Sequence, residues 1–398
     1  MSLKNFFNSG NLPGTILKDL NYFLHFMQEN RFKTTGKKGL LPNHCLPIIN
    51  SNMSHPLKLT LKREQQLSYP HINALYLLTR NLGLIHIEQI KNSRFLTANN
   101  EVIAVWNNLT EIEQYLNLMQ AWLFYCDERL ISKGKKSSFP SILDTVCYFL
   151  KIRLEQEWKI KNTNQQKWEF YATPPYSIAL MEMFGFIDIT DNEQHTESWL
   201  ISNITVNNYG KSWANLLNKF KRLEDESDFC IHRESNDDKS AKQFYQELSS
   251  MAPQWQSLFR PPKKVTEEGM HFFKVSLSKD VWRRISIPGI ETLDVLASFI
   301  LHVFKFDEDH LYQFTYTDKF GSLQTIESGD KYFWITASPN EVKIGDIDIF
   351  IGDSLEFLFD FGDCWRFNVQ LEQIDNSSKN KKIKLIESAG RAPRQYTY

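Results

Sequence analysis

Twice along this chain a helix-periodic apolar run is halted by a glycine and followed at once by two short strands. That order restricts the fold more than any other feature. A helix that delivers the chain straight into a hairpin buries its apolar stripe by packing on that hairpin or on a neighbour. In the first copy Ser68, Tyr69 and Pro70 form a helix start, with proline in the first turn. Ile72, Leu75, Tyr76, Thr79 and Leu82 recur at helical spacing, and Gly83 supplies the stop. Leu84–Ile87 reads as a strand, Lys91–Arg94 as a polar turn and Phe95–Thr97 as the returning strand, closed by Asn99 and Asn100. Thr110 and Glu113 then make a capping box for a helix carrying Ile112, Leu116, Met119, Leu123, Cys126 and Leu130 on one face. In the second copy Pro174 and Pro175 open a helix with Ile178, Leu180, Met181 and Phe184, and Gly185 ends it. Strands follow at Phe186–Ile189 and Ile201–Val206, with a polar turn at Thr190–Glu197 between them and a helix from Trp213 to Phe220 behind. Asn81-Leu82-Gly83-Leu84-Ile85 aligns with Met183-Phe184-Gly185-Phe186-Ile187. Each copy has a winged-helix-like pattern. Two unrelated helix–hairpin units would give the same pattern.

Upstream, Ile16–Gln28 predicts an amphipathic helix with Ile16, Leu20, Phe23, Leu24 and Met27 on its stripe, and Arg31–Lys38 predicts an exposed basic turn. Downstream, Glu224–Lys242 is dense in charge, and Arg260-Pro261-Pro262-Lys263-Lys264 marks a boundary beside Trp255 and Phe259. From Gly269 the pattern changes to alternation with period two. Strands are expected at His271–Leu277, Val281–Ile287, Leu311–Thr317, Tyr332–Thr336, Ser354–Phe361, Trp365–Glu372 and Ile383–Ile386. Thr292 caps a single helix with Leu293, Leu296, Ala297, Ile300, Leu301 and Phe304 on its stripe. The expected class is α+β, with a mostly helical N-terminal region and a C-terminal module of strands packed on one main helix. The expected domains are residues 1–130 and 131–223 for the two winged-helix-like units, 224–268 for a polar linker and 269–398 for the C-terminal module.

A chain of 398 residues with 42% hydrophobic residues and 29 Phe can build two or three Phe-rich cores. No apolar stretch is long enough to span a membrane, and the first ten residues lack a secretory signal pattern. The five widely spaced cysteines include no C-x-x-C pair, which points to a reduced, cytoplasmic setting and away from a zinc ribbon. The net charge of −1 gives no general grip on nucleic acid. Locally the two copies differ. Residues 56–100 hold six cations (Lys58, Lys62, Arg63, Arg80, Lys91, Arg94) against Glu64 and Glu88, a net +4. Residues 172–214 hold Lys211 against Glu182, Asp188, Asp191, Glu193 and Glu197, a net −4. The first unit is therefore the one expected to approach DNA, weakly, through Lys62, Arg63, Arg80, Lys91 and Arg94, and the second is expected to meet a protein.

The C-terminal motifs carry a family resemblance. Val281-Trp282-Arg283-Arg284-Ile285 through Pro288, Phe306-Asp307-Glu308-Asp309-His310-Leu311 with Gln313-Phe314, Asp360-Phe361-Gly362-Asp363-Cys364-Trp365 and Gly390-Arg391-Ala392-Pro393 stand in order over about 125 residues. Residues 269–394 thereby resemble the plasmid pRiA4b ORF-3-like family, which implies no particular chemistry. The family's association with mobile elements is positional, and no serine-recombinase pattern occurs here. Cys364 stands where the family usually has serine, and Arg394-Gln395 replaces its proline and acidic residues.

Asp307, Asp309, His310, Asp360 and Asp363 are the candidate chemical cluster. Carboxylates with one imidazole could bind a divalent metal and activate water, which would make the protein a metal-dependent hydrolase. A structural alternative stands beside this: Asp-Phe-Gly-Asp is a hairpin-turn composition, and no tight ligand spacing is present. Arg283 and Arg284 point to opposite faces of their strand, as partners of acidic residues or as contacts to a ligand. His44 and Cys45 are neighbours in sequence, which does not make a catalytic dyad. The reading favours a cofactor-free binding or adaptor protein over an enzyme or a purely structural scaffold, with no membrane partner.

Overall fold

The computed structural model describes residues 3–8, 10, 12–34, 39–91, 93–131, 141–158, 160, 162–220, 233–260, 266–318, 323–329, 338–378 and 382–396. It has an α+β fold in two compact units, Met1–Pro262 and Lys263–Tyr398. The N-terminal unit opens with α1 (Leu3–Asn8), α2 (Ile16–Glu29), β1 (Phe32–Thr34), α3 (Leu46–Ser51) and α4 (Pro70–Asn81). It continues with β2 (Ile85–Ile90), β3 (Ser93–Ala98), α5 (Asn100–Asn107) and α6 (Glu111–Gln120). The second half holds α7 (Ile142–Glu155), α8 (Thr163–Ala172), α9 (Pro175–Met183), β4 (Ile187–Asp191), β5 (Ile201–Val206), α10 (Asn208–Leu217) and α11 (Arg233–Met251).

Both expected helix–glycine–hairpin copies are present, and their glycines do the same work. Gly83 has φ +70° and Gly185 has φ +74°. Gly83 N–H donates to Arg80 O and Leu84 N–H to Thr79 O, while Gly185 N–H donates to Glu182 O and Phe186 N–H to Met181 O. These paired bonds close each helix and release the chain directly into β2 or β4. A second constraint acts at Gly185, where a Cβ would lie 2.8 Å from Gly14 N and 2.9 Å from Pro13 Cβ.

Three expectations change under tertiary contact. Phe32–Thr34, expected in an exposed turn, pairs with β3 and completes a three-stranded sheet in the order β1-β3-β2. The edge of β3 and the stacking of Phe32 on Phe26 at 5.8 Å recruit a segment that has no strand signal of its own. The helix expected to run from Thr110 to Leu130 ends at Gln120, passes through one π-turn over Ala121–Tyr125 and is extended by Cys126. Residues 224–268, expected as a polar linker, contain α11, which buries Ala241, Phe244 and Leu248. Behind it Trp255 packs on Tyr245 at 4.8 Å and Phe259 on Trp106 at 5.0 Å. The capping-box residue Glu113 accepts from Ser257 N–H at 2.9 Å, and Asn117 accepts from Phe259 N–H at 2.8 Å, so this segment docks on α6.

The other unit contains β6 (Met270–Ser276), β7 (Trp282–Pro288), α12 (Leu293–Phe304), β8 (Tyr312–Thr317), β9 (Leu323–Glu327), β10 (Ser354–Phe359), β11 (Trp365–Asp375) and β12 (Lys384–Ala389). These strands form an antiparallel sheet in the order β12-β7-β6-β11-β10-β8-β9. The stripe read from the sequence, Leu293, Leu296, Ala297, Ile300, Leu301 and Phe304, is the buried face of α12, and it shares one core with Phe273, Phe357 and Phe367. The strand expected at Tyr332–Thr336 lies outside the described residues, and β9 was not expected.

Candidate functional site

In the N-terminal unit, α4 was expected to present Arg80 to DNA. Every residue from Pro70 to Arg80 is buried, and α4 packs on α9, its counterpart in the second copy. Arg80 donates to the Tyr76 hydroxyl at 2.5 Å, with its guanidinium 5.5 Å from that ring, so it is part of the core. Lys62, Arg63 and Lys91 are exposed and Arg94 is half-buried. Cys45 is buried and donates to Pro42 O at 2.9 Å, and burial pushes its thiol up to about 12, so it is not poised as a nucleophile.

The opposite charges of the two copies meet within the chain. Lys58 pairs with Glu193 at 3.2 Å, and Thr60 N–H donates to Thr196 O at 2.8 Å. Deeper in, His71 from the first turn of α4 faces Glu182 from the last turn of α9, with Nε2 to Oε2 at 2.7 Å. His55 lies between two carboxylates, with Nδ1 at 2.8 Å from Glu182 Oε1 and Nε2 at 2.8 Å from Asp191 Oδ2. Its loop is pinned by Ser54 N–H donating to Asp19 and Leu57 N–H donating to Asn50. Trp199 Nε1 donates to Asp191 Oδ1 at 2.8 Å. The hydrogen bonds with Asp191 and then Glu182 raise His55 to about 10. Burial alone would raise Glu182, but the two imidazoles outweigh it and hold the carboxyl at about 2. Among the described residues, His55, His71 and Glu182 are the His, Cys, Asp and Glu side chains whose ligand atoms all lie within 4.8 Å of one another. A cavity of about 320 Å³ lined by His55, Lys58, Asp191, Asn192, His195 and Trp199 adjoins the cluster. The sequence reading missed this site. Its members span 136 positions, and the available signal was the complementary charge of the two copies.

In the C-terminal unit the acidic cluster assembles only in part. Asp360 has φ +57° and is buried. Its Oδ1 accepts from Gly362 N–H at 2.8 Å and Asp363 N–H at 3.3 Å, and its carbonyl accepts from Cys364 N–H at 2.7 Å. This is the turn of the β10–β11 hairpin. His310 Nε2 lies 3.4 Å from Asp360 Oδ2 and 3.8 Å from Asp309 Oδ1. Asp309 accepts from the Tyr396 hydroxyl at 2.6 Å, which is the leading cause of its lowered pKa, and Gln395 accepts from Asp307 N–H at 2.5 Å. Asp363 is exposed and joins through its backbone. Both arginines are engaged within the unit. Arg283 is buried and donates to the carbonyls of Trp282, Val303, Ala389 and Gly390, and so ties β12 to the end of α12. Arg284 pairs with Glu372, Nε to Oε2 at 2.6 Å, and with Glu387. The strand of Arg283, the acidic turn, the hairpin of Asp360 and the Gly390 element, which carry the family resemblance, belong to one sheet and its helix.

Residues 271–395 match the family model described as Plasmid pRiA4b ORF-3-like protein.

A solved crystal structure, that of the protein of unknown function MM3350 from Methanosarcina mazei Go1, is 24% identical, covers 33% of this chain and 76% of that chain, and has a TM-score of 0.30. No curated protein matches. Within the pRiA4b ORF-3-like module, Cys364 at the family's usual serine position has φ +55°, and its Sγ donates to Phe361 O at 3.3 Å. Gln395, in place of an acidic residue, is buried against the acidic turn and bridges Asp307 and Asp309.

Proposed function

We propose that this protein is a binding adaptor, built from two winged helices closed on one another and a pRiA4b ORF-3-like module, and that its N-terminal unit binds protein in preference to DNA. The winged-helix reading is supported by the order α2, β1, α3, α4, β2, β3 with the sheet order β1-β3-β2, and by the shorter series α7, α8, α9, β4, β5. The observation that carries the functional reading is the burial of α4 from Pro70 to Arg80. A winged helix that reads DNA lays this helix in the major groove, and here the helix has no exposed face over those residues. What the first copy offers to phosphate is Lys62, Arg63 and Lys91 on exposed turns. The second copy exposes Trp168 (79%) and Tyr171 (67%), three positions apart on α8, a pair suited to a protein partner.

The test is duplex DNA binding by fluorescence anisotropy at two salt concentrations. With two or three phosphate contacts, log K should fall with log salt at a slope of about −2 to −3. Lys91→Glu with Arg63→Glu should abolish what binding there is. Tight binding to one sequence, unaffected by these changes, would refute the adaptor reading.

A further inference from the structure

We propose that His55, His71 and Glu182 form a site for one divalent transition-metal ion, with Asp191 as the carboxylate that orients His55. This inference is independent of the adaptor reading.

Two imidazole nitrogens and a carboxylate suit Zn²⁺, Co²⁺ or Fe²⁺, whereas Ca²⁺ and Mg²⁺ prefer all-oxygen cages. The ligand atoms already converge to within 4.8 Å of one another. Tetrahedral bonds of about 2.1 Å require ligand–ligand edges of roughly 3.4 Å. His55 Nδ1 and His71 Nε2 face different oxygens of Glu182, at 2.8 and 2.7 Å, so an ion enters by a fraction of an ångström of opening there and by closing of the wider separations, which lie within 4.8 Å.

The surroundings follow the arrangement found around metal-bound imidazoles. Asp191 holds His55 Nε2, which leaves Nδ1 on the Glu182 side as the ligating atom. Trp199 holds Asp191 in turn. His71 and Glu182 sit on packed helices and Asp191 ends a strand, so three of the four residues are fixed by regular elements. His71 is 3% exposed and faces Glu182 through Nε2, while its Nδ1 has no hydrogen-bond partner, so it lacks the orienting group that His55 has. The cavity reaches His55 and Asp191, the outer two of the four residues, which provides an approach to the cluster from solvent.

The experiment uses the full-length protein, stripped with chelator and dialysed. Zn²⁺ binding is followed by calorimetry and elemental analysis, and Co²⁺ by its visible absorption. One saturable equivalent is expected, with a Zn²⁺-dependent rise in melting temperature. His71→Gln and Glu182→Gln should each weaken binding at least 100-fold. Asp191→Asn, which keeps a hydrogen-bonding partner for His55, should weaken it 10- to 100-fold. His310→Ala, in the other unit, should bind as the wild type does. Should a ligand variant fail to fold, the wild-type stoichiometry and the Asp191→Asn affinity decide the matter. Absence of saturable Zn²⁺ binding, unchanged affinity in Asp191→Asn, or loss of binding in His310→Ala would each overturn the proposal and leave the four residues as an ion-pair network.

Discussion

Replacing Asp360 separates a turn from a chemical site. Asp360 combines a left-handed backbone at φ +57° with a carboxylate that accepts two backbone N–H groups. Alanine loses both contributions. A non-glycine residue without local hydrogen bonds costs about 1–2 kcal/mol in the left-handed region. The donors on Gly362 and Asp363 are exposed and can turn to water, so each lost bond costs nearer 0.5 than 1.5 kcal/mol, within the usual ~0.5–1.5 kcal/mol for a net hydrogen bond. Asp360→Ala should therefore destabilise β10–β11 by about 2–3 kcal/mol. Asp360→Gly relieves the backbone and loses only the bonds, about 1 kcal/mol. Asp360→Asn retains both the acceptor and the tolerance of left-handed φ, and gives up only a charge beside His310; with Asp360 10% and His310 42% exposed, it should cost less than about 1 kcal/mol. Hydrogen exchange read by mass spectrometry over peptides covering Ser354–Asp375 in the full chain reports these differences directly. A ranking of Asn, then Gly, then Ala supports the turn. If Asn proves as damaging as Ala, the carboxylate charge itself is required and the turn account fails.

Two further outcomes follow from the N-terminal unit. Gly185→Ala adds a Cβ 2.8 Å from Gly14 N at φ +74° and should cost more than about 2 kcal/mol, whereas Gly10→Ala, at φ +72° with nothing within 4 Å, should cost only the backbone term of about 1 kcal/mol; equal losses in thermal unfolding would remove the close approach from the explanation. In chelator, His55, raised to about 10, stabilises the fold fully below its ordinary value of 6.5 and loses that contribution as pH rises through about 10. Glu182, held at about 2, contributes above its ordinary 4.5 and loses it as pH falls toward 2. The melting temperature should thus carry an alkaline decline between pH 6.5 and 10 that His55→Gln flattens, and parallel profiles for the two proteins would show that the pairing adds nothing.

The legible parts of the fold are those whose signals are local. The buried stripe of α12, the glycine stops at Gly83 and Gly185, and the capping box of Thr110 and Glu113 all lie within a few residues of the groups they engage. The segments that changed have weak local signals and long-range partners. Phe32–Thr34 becomes a strand because β3 is beside it, and α11 is a helix of low hydrophobicity that a few residues, Ala241, Phe244 and Leu248, anchor to the rest of the unit. The Asp-Phe-Gly-Asp segment was legible as a turn because its carboxylate bonds its own chain two and three residues on.

By itself the sequence determined the repeated unit, the change to a strand-rich module at Gly269 and the charge of each copy, since periodicity, stop residues and charge are properties of short segments. Which surfaces stay open was decided only by tertiary structure. Arg80 lies on a helix whose polar residues could as well have faced solvent, and the packing of α4 into the unit enclosed it beside Tyr76 and Gly39. The same packing brought His71 to Glu182, and through Glu182 to His55 and Asp191. Four residues scattered from 55 to 191 carry no shared spacing. They become neighbours because two oppositely charged copies of one supersecondary unit bury their helices against each other, and burial leaves His55 and His71 dependent on carboxylates that follow in the second copy.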